Sequence, residues 1–189
     1  MMSSTNEDPD HIKTTIQMAL AVEKGTLIDF ETTGIPGRSP THEIVTLGYF
    51  KGNTMTIVQR TSTDPAPFYE ELRTLFSSLP RPLYSYNSSF EQKIMQCELG
   101  LTLSEDEFVD IMQPWKAKAE EWDLKWPSLD DLISEPEDYF QVDKVSGKDV
   151  PRYWNMYLQT SEVSYLKPIM EYCLSDILRE TMLMLRYKP

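Results

Sequence analysis

Three short runs carry acids or a phenol at spacings that could aim them at one point. The first is Leu27-Ile28-Asp29-Phe30-Glu31-Thr32-Thr33-Gly34. In a strand, residues two apart face the same side. Asp29 and Glu31 would therefore project together from an otherwise apolar segment. A carboxylate in a buried strand is costly unless it is paired or bound to a cation, and two hard oxygen ligands on one strand suit Mg²⁺ or Mn²⁺. The competing reading is a strand end with solvated acids and a turn at Thr33-Gly34. The second run, Tyr86-Asn87-Ser88-Ser89-Phe90-Glu91, sets an acid four residues after an Asn. Here Ser88 and Glu91 also fit a capping box, in which the glutamate reaches back to a free backbone N–H. The third, Tyr172-Cys173-Leu174-Ser175-Asp176, places a phenol and a carboxylate on one helical face, because positions i and i+4 are neighbours. Core packing of Tyr172 and solvation of Asp176 are the alternatives there.

These residues need elements to hold them. Thr26 to Phe30 reads as a short strand running into a Pro- and Gly-rich loop up to Thr41. Glu43 to Phe50 and Met55 to Arg60 read as two strands joined by a hairpin turn at Lys51-Gly52-Asn53. Pro67 to Ser78 has helical spacing, Pro82 to Tyr86 is a strand, Ser89 to Leu99 a helix, and Phe108 to Met112 a short fifth strand. Val150 to Gln159 and Ser161 to Tyr187 are expected to be helices, with Pro168 in the first turns of the latter or kinking it. At the other end, residues 1–10 are expected to be disordered. Residues 11–24 are expected to form an amphipathic helix through Ile12, Ile16, Ala19 and Leu20. Residues 11–189 would make a single α/β domain with a mixed five-stranded sheet flanked by helices.

Composition bounds the function. A chain of 189 residues suits one domain with a full core. No apolar run approaches a membrane span. The start, MMSSTNEDPD, lacks the basic and apolar regions of a secretory signal. A cytoplasmic protein is expected, with Cys97 and Cys173 as buried free thiols. The net charge of −12 argues against holding long nucleic acid by bulk electrostatics. It is compatible with a carboxylate site, where bound ions invert the local field.

Together, Asp29-x-Glu31, Asn87 with Glu91, and Tyr172 with Asp176 resemble the three motifs of the DEDD, or DnaQ-like, 3′–5′ exonuclease superfamily in its Tyr-type branch. Val145-Ser146-Gly147-Lys148-Asp149 with Tyr153-Trp154 resembles the Ser-Gly segment of the ribonuclease-H-like predicted exonucleases. Val109-Asp110-Ile111-Met112 resembles the Asp-bearing strand of many relatives. The second motif of most relatives ends in Asp, and this chain has Glu91. The branch with a catalytic His would need it at Glu171. His11 is the other histidine besides His42, which is expected in a solvated loop.

The resemblance implies a ribonuclease-H-like fold and a metal-dependent 3′–5′ exonuclease that hydrolyses phosphodiester bonds of single-stranded DNA or RNA with two Mg²⁺ or Mn²⁺ ions. It implies Asp29, Glu31, Glu91 and Asp176 as metal ligands and Tyr172 as the residue that orients the attacking water. Thr32, Thr33 and Gly34 would bind the terminal nucleotide, and Asn87 would bond substrate or brace the site. Phe30 and Tyr86 are expected in the core. A non-catalytic nucleic-acid or protein interaction domain, a structure-specific endonuclease, and a module of a larger nucleic-acid-processing complex share the fold. The interaction domain usually lacks one or more of the carboxylates, all of which are present here. The weakly patterned segment 113–147 holds Trp115, Trp122 and Trp126 among lysines, a mix used to grip single strands. Its neighbours Glu120, Glu121 and Asp123 favour core or lid packing instead.

Overall fold

In the computed structural model, residues 3–7, 10–133 and 145–186 are described here. Residues 134–144, within the weakly patterned segment 113–147, and Tyr187 lie outside them. Five strands and their helices follow one another as β1 (Ser3–Glu7), β2 (His11–Thr32), β3 (Ile44–Arg60), α1 (Ala66–Ser78), β4 (Leu83–Ser85), α2 (Ser89–Ile94), β5 (Phe108–Asp110), α3 (Gln113–Glu121), α4 (Leu129–Leu132), α5 (Val150–Thr160) and α6 (Lys167–Arg186). A π-helical turn, Met95–Leu99, prolongs α2, and 3₁₀ turns precede β5 and α6.

The sheet is mixed. β2 pairs antiparallel with β3 along one edge. Its other edge is shared, the first half with antiparallel β1 and the second with parallel β4, which in turn pairs parallel with β5. One face of β2 sends Ile28 and Phe30 against Phe68, Leu72 and Phe76 of α1 and Ile94 of α2. The alternate face sends Leu27 against Ile177, Leu178 and Leu183 of α6. Asp29 and Glu31 share the parity of Leu27, so the strand's two-residue period turns them towards α6. Burying these apolar side chains on both faces supplies the main folding drive, roughly 25 cal/mol per Å² of apolar surface.

Two expectations are corrected at the start of the chain. Ser3–Glu7, expected to be disordered, forms β1, and residues 11–24, expected to be helical, belong to β2. Ile12 and Ile16 are four residues apart, a spacing that satisfies a helix turn and a strand's two-residue period alike. The β-branched run Ile12, Thr14, Thr15 and Ile16 favours the pleated alternative once β3 offers a partner. Ala19 and Leu20, counted towards the helical face, are exposed. The Lys51-Gly52-Asn53 hairpin is also corrected, because β3 runs through it. Gly52 takes φ +57° where the pairing register with β2 shifts, so the glycine makes a bulge rather than a turn.

Trp115 packs on the core, whereas Trp122 and Trp126 are exposed, against the expectation of core or lid packing. Tyr86 and Phe30 pack as expected. Cys97 is exposed rather than buried, and Cys173 is buried. His42 lies in the loop before β3, half-buried beside Glu98. Among the described residues, no helix is long and apolar enough to cross a membrane.

Candidate active site

Three separated segments meet because of simple packing rules. The β2 strand carries Asp29 and Glu31. Opposite Asp29 in the β2–β3 ladder stands Gly48. A Cβ at Gly48 would lie 2.7 Å from the Cys173 sulfur and 2.8 Å from Ile177, so the glycine is what lets α6 approach the sheet. That approach sets Tyr172 and Asp176 over the strand. Glu91 comes from the first turn of α2, directly after β4.

These side chains line one cavity of about 520 Å³. Its walls include Asp29, Glu31, Glu91, Tyr172 and Asp176 together with Thr32, Thr33, Gly34, Phe90 and Lys148. Thr32 Oγ1 donates to the Gly34 carbonyl at 2.7 Å, and Thr33 Oγ1 accepts from the Glu43 N–H at 3.0 Å. A Cβ at Gly34 would fall 2.2 Å from the Thr41 carbonyl oxygen, so this tight loop excludes any larger residue there. Gly147 of the Ser-Gly segment borders the Tyr172 ring; a Cβ there would sit 3.4 Å from its hydroxyl oxygen.

The capping alternative for Glu91 does not form. Ser88 makes no side-chain cap, and Glu91 instead accepts from Ser85 Oγ at 3.3 Å, buried at the cavity wall. Nor is Asp176 solvated. It is bonded to the Tyr172 hydroxyl and to Arg179, the latter at 3.1 Å. Asn87 does not line the cavity. Its side-chain oxygen accepts from Lys116 Nζ at 3.0 Å and Ser89 Oγ at 3.3 Å, and its N–H donates to Asp110 at 3.0 Å. Asn87 is thus bonded into the corner between β4 and α2, away from the cavity lining. These bonds hold it at φ +62°, a conformation asparagine tolerates better than most residues.

The electrostatics are those of crowded, buried, like charges. Burial pushes Asp29 up to about 6. Burial first, then repulsion by Asp29 and Asp176, holds Glu31 well above the usual carboxylate range. Glu91 and Asp176 are likewise raised, by burial and then by Asp29. Burial and the Asp176, Glu31 and Asp29 charges raise the Tyr172 hydroxyl, so it keeps its proton and donates it to Asp176. Asp29 Oδ2 is buried with no hydrogen-bond partner.

Two further residues escaped the sequence reading. Glu180 is buried, accepts from the Tyr86 N–H at 3.2 Å, and is raised by burial and then by Asp29, Glu91 and Asp176. Its distance of four residues beyond Asp176, on the same helical face, was the available signal. Cys173, placed only as a buried thiol, brings its sulfur within 4.8 Å of carboxylate oxygens of Asp29 and Glu31. Burial raises this thiol, so it stays protonated and is not a hard-cation ligand.

An unpartnered oxygen at the centre of several buried carboxylates fits a divalent cation. It supplies the charge and coordination that the protein leaves out, and the all-oxygen donors match Mg²⁺ or Mn²⁺. The comparison with family models agrees with the architecture. The family model described as RNase_H superfamily matches residues 26–187. No curated protein matches the chain. Among solved structures, the family B DNA polymerase from the hyperthermophilic archaeon Pyrobaculum calidifontis is similar at 17% identity and a TM-score of 0.49, over 92% of this chain. The chain spans 28% of that polymerase's length. The family match over residues 26–187 makes this chain a member of the RNase H superfamily, and its mixed sheet with helices on both faces is a ribonuclease-H-like α/β fold.

Proposed function

We propose that the protein is a divalent-metal-dependent 3′–5′ exonuclease acting on single-stranded DNA or RNA. The observation that carries this reading is the convergence of Asp29, Glu31, Glu91 and Asp176 on one cavity, with a buried Asp29 oxygen left without a partner. Members of this superfamily are generally nucleolytic hydrolases that use such ions. Asp29, Glu31, Asp176 and Glu91 would hold the ions, with Asp29 at the centre of the four. Two bound Mg²⁺ or Mn²⁺ ions would activate water and stabilise the leaving oxygen.

The chain's own residues do the rest. Tyr172 keeps its proton, so it orients a nucleophilic water by hydrogen bonding and does not act as a base. Asp176 holds the phenol in place. The Thr32–Gly34 loop lies in the same cavity and offers backbone and hydroxyl groups to a terminal nucleotide. Asn87, fixed by Lys116 and Asp110, keeps the start of α2, and hence Glu91, in position.

The test is digestion of 5′-labelled and 3′-labelled single-stranded DNA and RNA with Mg²⁺, Mn²⁺ or chelator. A ladder shortening from the 3′ end, dependent on the ion, supports the reading. Internal cuts point to an endonuclease, and no cutting with either ion overturns it.

A further inference from the structure

We propose that the exposed edge Trp122–Leu124–Trp126 is a stacking platform for the body of a single strand whose end occupies the cavity. This inference rests on the nuclease reading and assigns its substrate track. Trp122 is 58% exposed, Leu124 59% and Trp126 46%. Isolated exposed apolar residues are ordinary; here three large ones, each about half exposed, fall within five consecutive positions of one short loop. The two rings are not loose. Lys118 Nζ sits 4.8 Å from the Trp122 ring centre and Lys116 Nζ 4.9 Å from that of Trp126. Cations so placed hold the indoles, and pre-set rings lose less entropy when a base stacks on them.

The loop is also tied to the site. Lys116, which caps Trp126, donates to Asn87 of the second motif. The Tyr86 hydroxyl, one residue before Asn87, donates to the Pro127 carbonyl at 2.6 Å. Asp130 of α4 bonds Arg179, which in turn bonds Asp176. The parallel strands β2, β4 and β5 lie side by side, so their C-terminal ends line up the Thr32–Gly34 loop, the Asn87 corner and the start of α3 in that order. Strands are about 4.8 Å apart, and Trp126 lies one lysine contact beyond. Trp126 therefore stands at the Asn87 corner, one strand over from the Asp29 strand, with Lys116 between its ring and Asn87.

A single strand is the occupant these features fit. Every base has a face for an indole, and stacking gives grip without the large basic surface that a chain of net charge −12 lacks. A stacked strand advances about 3.4 Å per nucleotide. A dinucleotide held in the cavity is too short to reach the platform, whereas an oligomer of about 12 nucleotides spans it at that rise.

The experiment compares the full chain with the double variant Trp122→Ala/Trp126→Ala and with Trp122→Phe/Trp126→Phe. Steady-state cleavage of a dinucleotide and of an oligomer of about 12 nucleotides is measured with Mn²⁺, alongside anisotropy binding of the labelled oligomer in chelator. In the alanine variant, KM for the oligomer should rise at least about tenfold, the loss expected for removed base stacking. Dinucleotide kcat and KM should hold within about twofold, and the Phe variant should recover most of the affinity. An alanine variant that melts like wild type and keeps wild-type oligomer KM and binding overturns the platform, whichever protein that edge then binds. If the wild type cuts neither substrate but binds the oligomer, and the alanine variant does not, the platform stands and the nuclease reading falls.

Discussion

Asp29 on β2 and Asp110 on β5 are the same residue type near the C-terminal ends of parallel strands separated only by β4, and the fold treats them in opposite ways. Asp110 is answered in full by the protein. Lys116 Nζ lies 2.6 Å away, and the N–H groups of Asn87 and Met112 donate to it at 3.0 and 2.9 Å. Asp29 has Glu31 beside it, Asp176 and Glu91 facing it, and one oxygen with no partner. A satisfied carboxylate is a brace. A buried cluster of unanswered ones costs stability, and it persists where something outside the chain completes it. The two aspartates can be told apart by substitutions with opposite signs.

The largest effect belongs to the unanswered one. Asp29→Asn should lower turnover by at least about 1000-fold, since it removes the proposed central ligand and with it several kcal/mol of charge stabilisation. Tyr172→Phe should slow turnover by roughly 10- to 1000-fold, the range for losing a positioned hydrogen-bond partner, with little change in melting. Unchanged kinetics in a folded Tyr172→Phe variant would return this residue to core packing.

The contrast also has a pH signature. Raised folded-state pKa values mean that the folded apo protein holds protons the unfolded chain has already released, so stability falls as pH rises. The penalty from Asp29 should be absent below about pH 4, where unfolded carboxylates are protonated. It should develop as pH rises through about 6, where folded Asp29 ionises. Above that value, Asp29→Asn should melt higher than wild type in chelator, and the gap should close towards pH 4. A gap independent of pH would contradict the crowding described here.

The smallest effect is on the answered side. Asp110→Asn leaves Lys116 short of its charge partner in a mostly buried position. It should destabilise the fold by about 1–3 kcal/mol, read by denaturant unfolding. Turnover per folded molecule should fall only a few-fold, through the Asn87 corner that positions Glu91, far less than for Asp29→Asn.

The gathering of Asp29, Glu31, Tyr172 and Asp176 at one cavity was legible in the sequence because strand parity and helix spacing decide it. Asp29 and Glu31 had to share a face, and so did Tyr172 and Asp176. Other features depended on partners distant in the chain. The long β2 was hidden because the spacing of Ile12 and Ile16 fits helix and strand equally, and only pairing with β3 separates them. Gly52 read as a turn because a φ-positive glycine serves a turn or a bulge, and the length of the facing strand decides which. The role of Gly48 as the contact point for α6 has no local signal at all. Glu180 and Asn87 were ambiguous in the same way, since the cavity side of a residue depends on which strand end it follows.

The most direct test of the central claim is the melting of wild type and Asp29→Asn, each in chelator and in Mn²⁺, at a pH above about 7, beyond the point where folded Asp29 ionises. The account predicts that Asp29→Asn melts above wild type in chelator. Mn²⁺ should raise the wild-type melting temperature by binding the native state, and should move the variant little. If Mn²⁺ shifts neither curve, or if Asp29→Asn melts lower than wild type in chelator and still cuts in proportion to folded protein, the carboxylate cluster is structural and the active site lies elsewhere.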